Sequence, residues 1–159
     1  MTRKEQYNQL ILQIAELIKD ETNLVGILAN VSAALHDAFP ERFFWVGFYL
    51  QENGNMLRLG PFQGSVACYV IPFGKGVCGK AWEEGCTLIV PDVEKFPGHI
   101  ACSSLSRSEI VVPMYDDSHT FRGVLDIDST QLNDFNEDDK EGLERIIELL
   151  MAETQDLFQ

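Results

Sequence analysis

Phe43-Phe44-Trp45-Val46-Gly47-Phe48-Tyr49-Leu50 runs through Gln51 into Glu52-Asn53-Gly54-Asn55, after which Met56-Leu57-Arg58-Leu59-Gly60 follows. Aromatic and branched residues fit a pleated strand, and Asn-Gly supplies the left-handed positions of a tight turn. Residues 43–50 and 56–60 therefore read as the two arms of an antiparallel hairpin. Period two puts Phe43, Trp45, Gly47 and Tyr49 on one face and Phe44, Val46, Phe48 and Leu50 on the other. Both faces are apolar, as in a sheet covered on both sides. Trp45 and Tyr49, aromatics with a polar tip, are candidates to line a pocket above one of them.

Outward from this hairpin, Gly60–Gly64 reads as a loop and Cys68–Pro72 as a third strand. Gly74–Gly85 is a glycine-rich entry into a short helix. Thr87–Pro91, Glu109–Tyr115 and Phe121–Asp128 read as three further strands. Leu10, Ile14, Leu17 and Ile18 recur at helical spacing over residues 2–19, and Asp20–Asn23 breaks the pattern. Leu24, Ile27, Leu28, Val31 and Leu35 form the inner face of a second helix, which must stop near Pro40. Capping residues in Asp134–Asp139 open a last helix that runs to about Leu157, with Leu143, Ile146, Ile147, Leu150 and Met151 facing inward. The order implies an α+β fold, a mainly antiparallel six-stranded sheet with the N- and C-terminal helices packed on one side. No linker divides the chain, so residues 1–159 are expected to form one domain.

Composition narrows the function classes. A formal net charge of −13 repels phosphate backbones, which argues against nucleic acid as a partner. Much of the acid, from Asp134 through Asp139 to Glu148, is assigned to a solvated helix and the turn before it. The N-terminus has no apolar leader and no run approaches a membrane span, so a soluble cytoplasmic protein is expected. Cys68, Cys78, Cys86 and Cys102 contain no CxxC and match no zinc-binding spacing, so no metal is expected. A disulfide among reduced intracellular thiols is transient and catalytic rather than structural.

The chemistry gathers in Pro97-Gly-His-Ile-Ala-Cys-Ser-Ser-Leu-Ser-Arg-Ser-Glu-Ile-Val-Val-Pro113, which sets a thiol, His99, Arg107 and a carboxylate at the start of a buried strand. Cys102 and Glu109 are placed on the loop feeding that strand. In Gly123-Val-Leu-Asp-Ile-Asp-Ser129, Asp126 and Asp128 must share a face. Joined by Glu109 from the adjacent strand, they would suit an alkylammonium, and crowding would raise one carboxyl pKa enough to make it a proton donor. The helix start at Cys78 would lower that thiol's pKa. A nucleophilic thiol, aromatics and an acid cluster describe a pocket for a small amino acid with a reducible side chain.

Trp45–Tyr49, Leu59–Gly64, Gly76–Gly79, Asp92-Val93 with Phe96–Cys102, Ser108–Pro113 and Gly123–Ser129 together resemble the free methionine-(R)-sulfoxide reductases, a family of single GAF domains. The resemblance implies a GAF-type fold, a homodimer and a closed pocket for the free amino acid. It makes Cys102 the nucleophile, Cys68 and Cys78 the resolving cysteines, and Trp45, Tyr49, Glu109, Asp126 and Asp128 the residues that shape the pocket and bind. Cys68 is the expected first partner of Cys102 in the disulfide. No bound cofactor is implied; thioredoxin, fed by NADPH, resets the site. Cys86 matches no motif of the family and is expected to be a core residue at a strand start. The rival reading is a GAF-type module that senses a small molecule or redox state without turnover; a thiol peroxidase is a second.

Overall fold

The computed structural model describes residues 1–158. Six strands, β1 (Trp45–Glu52), β2 (Met56–Gln63), β3 (Val70–Pro72), β4 (Leu88–Val90), β5 (Ser108–Tyr115) and β6 (Phe121–Ser129), form one sheet in the order β3-β2-β1-β6-β5-β4. Every neighbouring pair is antiparallel. The helices are α1 (Arg3–Ile18), α2 (Leu24–Ala38), α3 (Gly76–Glu84) and α4 (Glu137–Thr154). The β1–β2 turn takes Asn53 and Gly54 to φ of 36° and 87°, the left-handed conformation that an Asn-Gly pair adopts at little cost.

Strand parity decides what covers each face. Val46, Phe48, Ile110, Val112, Leu125 and Ile127 pack into one buried cluster with the inner stripes of α1, α2 and α4. Trp45, Tyr49, Val111 and Val124 pack on the opposite face with Val77, Cys78 and Ala81 of α3. The terminal helices thus gather on one side as expected, whereas α3 lies on the other. It is this second face that carries Glu109 and Asp126, two residues along from Val111 and Val124, and Asp128, two further on.

Other details depart from the sequence reading for identifiable reasons. β2 continues to Gln63 through the supposed loop, because Gly60 and Pro61 bulge opposite Phe48 and the strand resumes beyond them. β3 reaches along β2 only to Arg58, so Pro61 sits on an open edge where its missing N–H costs no ladder bond. Cys68 precedes β3 and belongs to the loop. Since β1 starts at Trp45, the alternation does not extend back: Phe43 joins the helix side and Phe44 packs on the other. On α1, Leu17 is exposed and Tyr7 fills the inner stripe instead. Cys86 is exposed rather than in the core, since the left-handed Gly85 ends α3 and turns the chain outward ahead of β4.

The acidic stretch before and within α4 is not wholly solvated either. Asp139 is fully buried, accepting from Tyr7 Oη at 2.7 Å, Arg3 Nη1 at 2.8 Å and Arg42 Nη2 at 3.0 Å. Asp134 accepts from Arg42 Nε at 3.0 Å. A buried carboxylate is tolerable only when paired in this way. The network fastens the start of α4 to α1 and to the segment between α2 and β1.

Candidate active site

Two loops meet over the second face of the sheet. Residues 64–69 link β2 to β3 and carry Cys68; residues 96–107 lead into β5 and carry His99 and Cys102. The loops are joined by a disulfide between Cys68 and Cys102, with a Cα–Cα distance of 5.5 Å. Beneath it lies a cavity lined by Trp45, Tyr49, Cys78, Glu109, Asp126 and Asp128 among others. The structure therefore brings together every residue the sequence singled out for catalysis or binding. His99 also lines it, whereas Arg107 is exposed and lies outside the lining.

Trp45 and Tyr49 use their polar tips on the protein. Trp45 Nε1 donates to the Ser65 carbonyl at 3.0 Å and Tyr49 Oη to the Cys68 carbonyl at 3.0 Å, so both hold the loop that carries Cys68. Their rings stack at 5.9 Å, and Phe62 stacks on the other side of Trp45 at 5.1 Å. Gly47 lies between them in β1, where a Cβ would collide with Phe62. Gly47 pairs with Asp126 across the β1–β6 ladder, so the close packing of Phe62 and Trp45 stands beside the acid cluster. On the far wall, Gly76 adopts φ of 61° and Ile100 packs against its Cα, which lets the Cys102 loop lie close on the start of α3.

The acid cluster follows from register. Glu109 of β5 pairs directly with Asp128 of β6, and Val111 pairs with Asp126, so three carboxyls crowd one patch. Glu109 and Asp126 are buried; Asp128 is half-buried. Burial raises the pKa of Glu109 well above the ordinary range, and the charges of Asp126 and Asp128 push the same way. Burial and Asp126 likewise raise Asp128, while Asp126, raised by burial, is held back by Glu109, Cys78 and His99 beside it. The crowding thus favours the protonated form of these carboxyls. Cys78 is 2% exposed, and burial, with Asp126 and Glu109 adding to it, pushes its thiol up. The activation expected from the start of α3 is overridden. His99 Nε2 stands 3.8 Å from Glu109 Oε1, and desolvation lowers its pKa. Ser103, Ser106, Val66, Ala67, Ile71, Val77 and Ile100 also line the cavity; of these, Ile100 and the two serines fall in the stretch around Cys102 that the sequence marks.

Glu109→Gln should raise the melting temperature at neutral pH. Below the ordinary glutamate range, near pH 4.3, Glu109 is protonated in both folded and unfolded chains, and the variant gains nothing. As pH rises through that range the unfolded chain ionises freely while the folded pKa stays higher, so wild-type stability falls until the folded pKa is passed. The variant's advantage should therefore appear only as pH rises, at roughly 2–4 °C per kcal/mol relieved for a chain of this size. Thermal melts across pH check this, and a wild type as stable as the variant at neutral pH would contradict it.

Residues 21–152 match the GAF domain family. GAF domain-containing protein A of Dictyostelium discoideum is 56% identical over 149 residues, covering 94% of this chain and 92% of that protein. The free methionine-R-sulfoxide reductase of Saccharomyces cerevisiae is 43% identical over 155 residues, covering 94% of this chain and 86% of that protein. The chain belongs to the free methionine-R-sulfoxide reductase family. Among solved structures, the free methionine-R-sulfoxide reductase from Neisseria meningitidis, in complex with its substrate, matches this chain with a TM-score of 0.93 at 47% identity. The match covers 98% of this chain and 92% of that one. Like other members of the free methionine-R-sulfoxide reductase family, the chain is a GAF domain, here built on the antiparallel sheet its motifs implied. Among the described residues, no helix is long and apolar enough to cross a membrane.

Proposed function

We propose that the protein, as one domain over residues 1–159, reduces free L-methionine (R)-sulfoxide to L-methionine with its own thiols and no bound cofactor. Cys102 in its thiolate form attacks the sulfoxide sulfur, and a protonated carboxyl of the Glu109, Asp126 and Asp128 cluster gives its proton to the departing oxygen. Water then attacks the Cys102 sulfur, methionine leaves with the electron pair of the S–S bond, and a proton passes to solvent, so the substrate sulfur has gained two electrons and Cys102, now a sulfenic acid, has lost two. Cys68 then attacks the Cys102 sulfur, hydroxide leaves as water after taking a proton, and the disulfide forms. Thioredoxin supplies the dithiol that reopens it by exchange, and NADPH restores thioredoxin. The remaining carboxylates hold the substrate ammonium, with the stacked Trp45 and Tyr49 against its apolar chain. Cys78, buried beneath, takes a resolving role only after a loop shift exposes it.

The observation that carries this reading is the Cys68–Cys102 bond lying directly over a buried acid cluster. With the bond closed, Cys102 has no free thiol with which to attack a sulfoxide. The substrate therefore reacts with the reduced form, and the bond marks the stage after methionine has left. We further propose a homodimer working in the cytoplasm. NADPH consumption in a thioredoxin-coupled assay with free methionine (R)-sulfoxide tests the function; tight binding without turnover would favour a sensor.

N-Acetylmethionine sulfoxide should be reduced with kcat/KM lowered at least about a hundredfold. An amide in place of the ammonium leaves buried carboxylates without their counter-charge, and an unpaired buried acceptor is heavily penalised. Equal rates on the two substrates would remove the acid cluster from substrate recognition.

A further inference from the structure

The cavity floor also holds a ligand set that belongs to a different chemistry. One thiol sulfur and two carboxylate oxygens, from Cys78, Glu109 and Asp126, lie within 4.8 Å of one another, and all three residues are buried. Asp126 is 6% exposed, and its Oδ1 is shielded from water with no hydrogen-bond partner. A desolvated, unpartnered acceptor calls for a cation. No lysine or arginine lines the cavity to supply one. His99, the basic residue that does, reaches only Glu109, at 3.8 Å, and burial disfavours its charged form.

The donor types select among ions. Magnesium and calcium prefer all-oxygen shells, whereas a thiolate beside carboxylates suits zinc and its relatives. A tetrahedral zinc with Zn–S of about 2.3 Å and Zn–O of about 2.1 Å sets its ligands roughly 3.4 to 3.6 Å apart, which the observed cluster reaches with small side-chain shifts. Three protein ligands leave one position for water. The cavity has room for an ion and a water.

We propose that Cys78, Glu109 and Asp126 form a site for one thiophilic divalent cation of the zinc class, and that its occupancy excludes the amino-acid substrate. Binding replaces the Cys78 thiol proton, which passes to solvent, and nothing is oxidised or reduced. The cation site stands on the geometry of the three ligands; the exclusion of substrate rests on the reductase reading.

Co²⁺ serves as the probe. In Cys86→Ser protein with the Cys68–Cys102 bond formed, Cys78 is the sole remaining thiol of the four cysteines. Titration should give a thiolate-to-cobalt charge-transfer band saturating at one ion per chain. The band should vanish in Cys78→Ser, and the affinity should fall at least about tenfold in Glu109→Gln and in Asp126→Asn. The unaltered chain should also gain thermal stability from equimolar Zn²⁺, a readout that requires no variant to fold. No band at millimolar Co²⁺, a band untouched by both carboxyl substitutions, or no thermal shift each overturns the site. For the exclusion, the triple variant Cys68→Ser, Cys86→Ser, Cys102→Ser keeps Cys78 alone and cannot turn over. Saturating Zn²⁺ should weaken its calorimetric affinity for free methionine sulfoxide at least about tenfold. Unchanged affinity overturns the exclusion, whereas a protein that binds cobalt but never the sulfoxide counts against the reductase reading and leaves the cation site standing.

Discussion

Replacing Cys102 with serine should lower kcat/KM for free methionine (R)-sulfoxide at least about a thousandfold, and single-turnover mixing should release no methionine. A hydroxyl is not ionised at neutral pH, and a carboxylate is far too weak a base to hold it as an alkoxide. The fold should survive, because Cys102 sits in a partly exposed loop outside both buried clusters, so circular dichroism and melting should stay close to those of reduced wild type. The alternative nucleophile, Cys78, fares worse on physical grounds. It lies under the cavity at 2% exposure, and burial with two nearby carboxyls pushes its thiol up, so little of it is thiolate at neutral pH. Appreciable turnover in Cys102→Ser would nonetheless transfer the nucleophilic role to Cys78 and undo the assignment.

What the sequence discloses depends on whether the deciding interaction is local. The β1–β2 hairpin, the end of α3 at Gly85 and the capping box of Asn136 and Asp139 are short-range devices, and each is readable from neighbouring residues. The sharing of a face by Asp126 and Asp128 follows from strand period alone, and Glu109 joins them because β5 and β6 form a hairpin. Misreadings arise where distant partners decide. Gly60-Pro61 has loop composition, yet the pairing of Val46 and Gly47 with Gln63 and Phe62 carries the strand across it. Asp139 looks like a solvated helix residue until Arg3, Arg42 and Tyr7 converge on it from far along the chain. Trp45 and Tyr49 were legible as pocket residues, but that their polar tips would hold the loop carrying Cys68 was not, since those bonds depend on how residues 64–69 fold back over the sheet. The state of the Cys78 thiol is not legible in sequence, because a helix start favours a thiolate locally while burial beside three carboxyls, a property of the assembled sheet, outweighs it.

Replacing Cys68 with serine should separate the two halves of the reaction. The first chemical step needs only Cys102, so the reduced variant should still release about one methionine per chain in a single turnover. Steady-state turnover with thioredoxin should then fall at least about tenfold, because the Cys102 sulfenic acid has lost the thiol that converts it into a substrate for dithiol exchange. A sulfenic-acid trap should label Cys102 in the variant and not in the wild type. Geometry favours Cys68 over Cys78 for this step: its Cα stands 5.5 Å from that of Cys102, within the 4.4–6.8 Å that a disulfide spans. The hydrogen bond from Tyr49 Oη to the Cys68 carbonyl anchors the loop at the residue that must attack, so Tyr49→Phe should slow this step more than it slows methionine release. Cys78, by contrast, is a buried free thiol in the first turn of α3, beside the acid cluster. Peptide mapping after one equivalent of substrate should accordingly find Cys68 joined to Cys102 in the wild type. A Cys78–Cys102 peptide there, with normal cycling in Cys68→Ser, would exchange the two roles and make the Cys68 bond a later stage of relay toward the external dithiol.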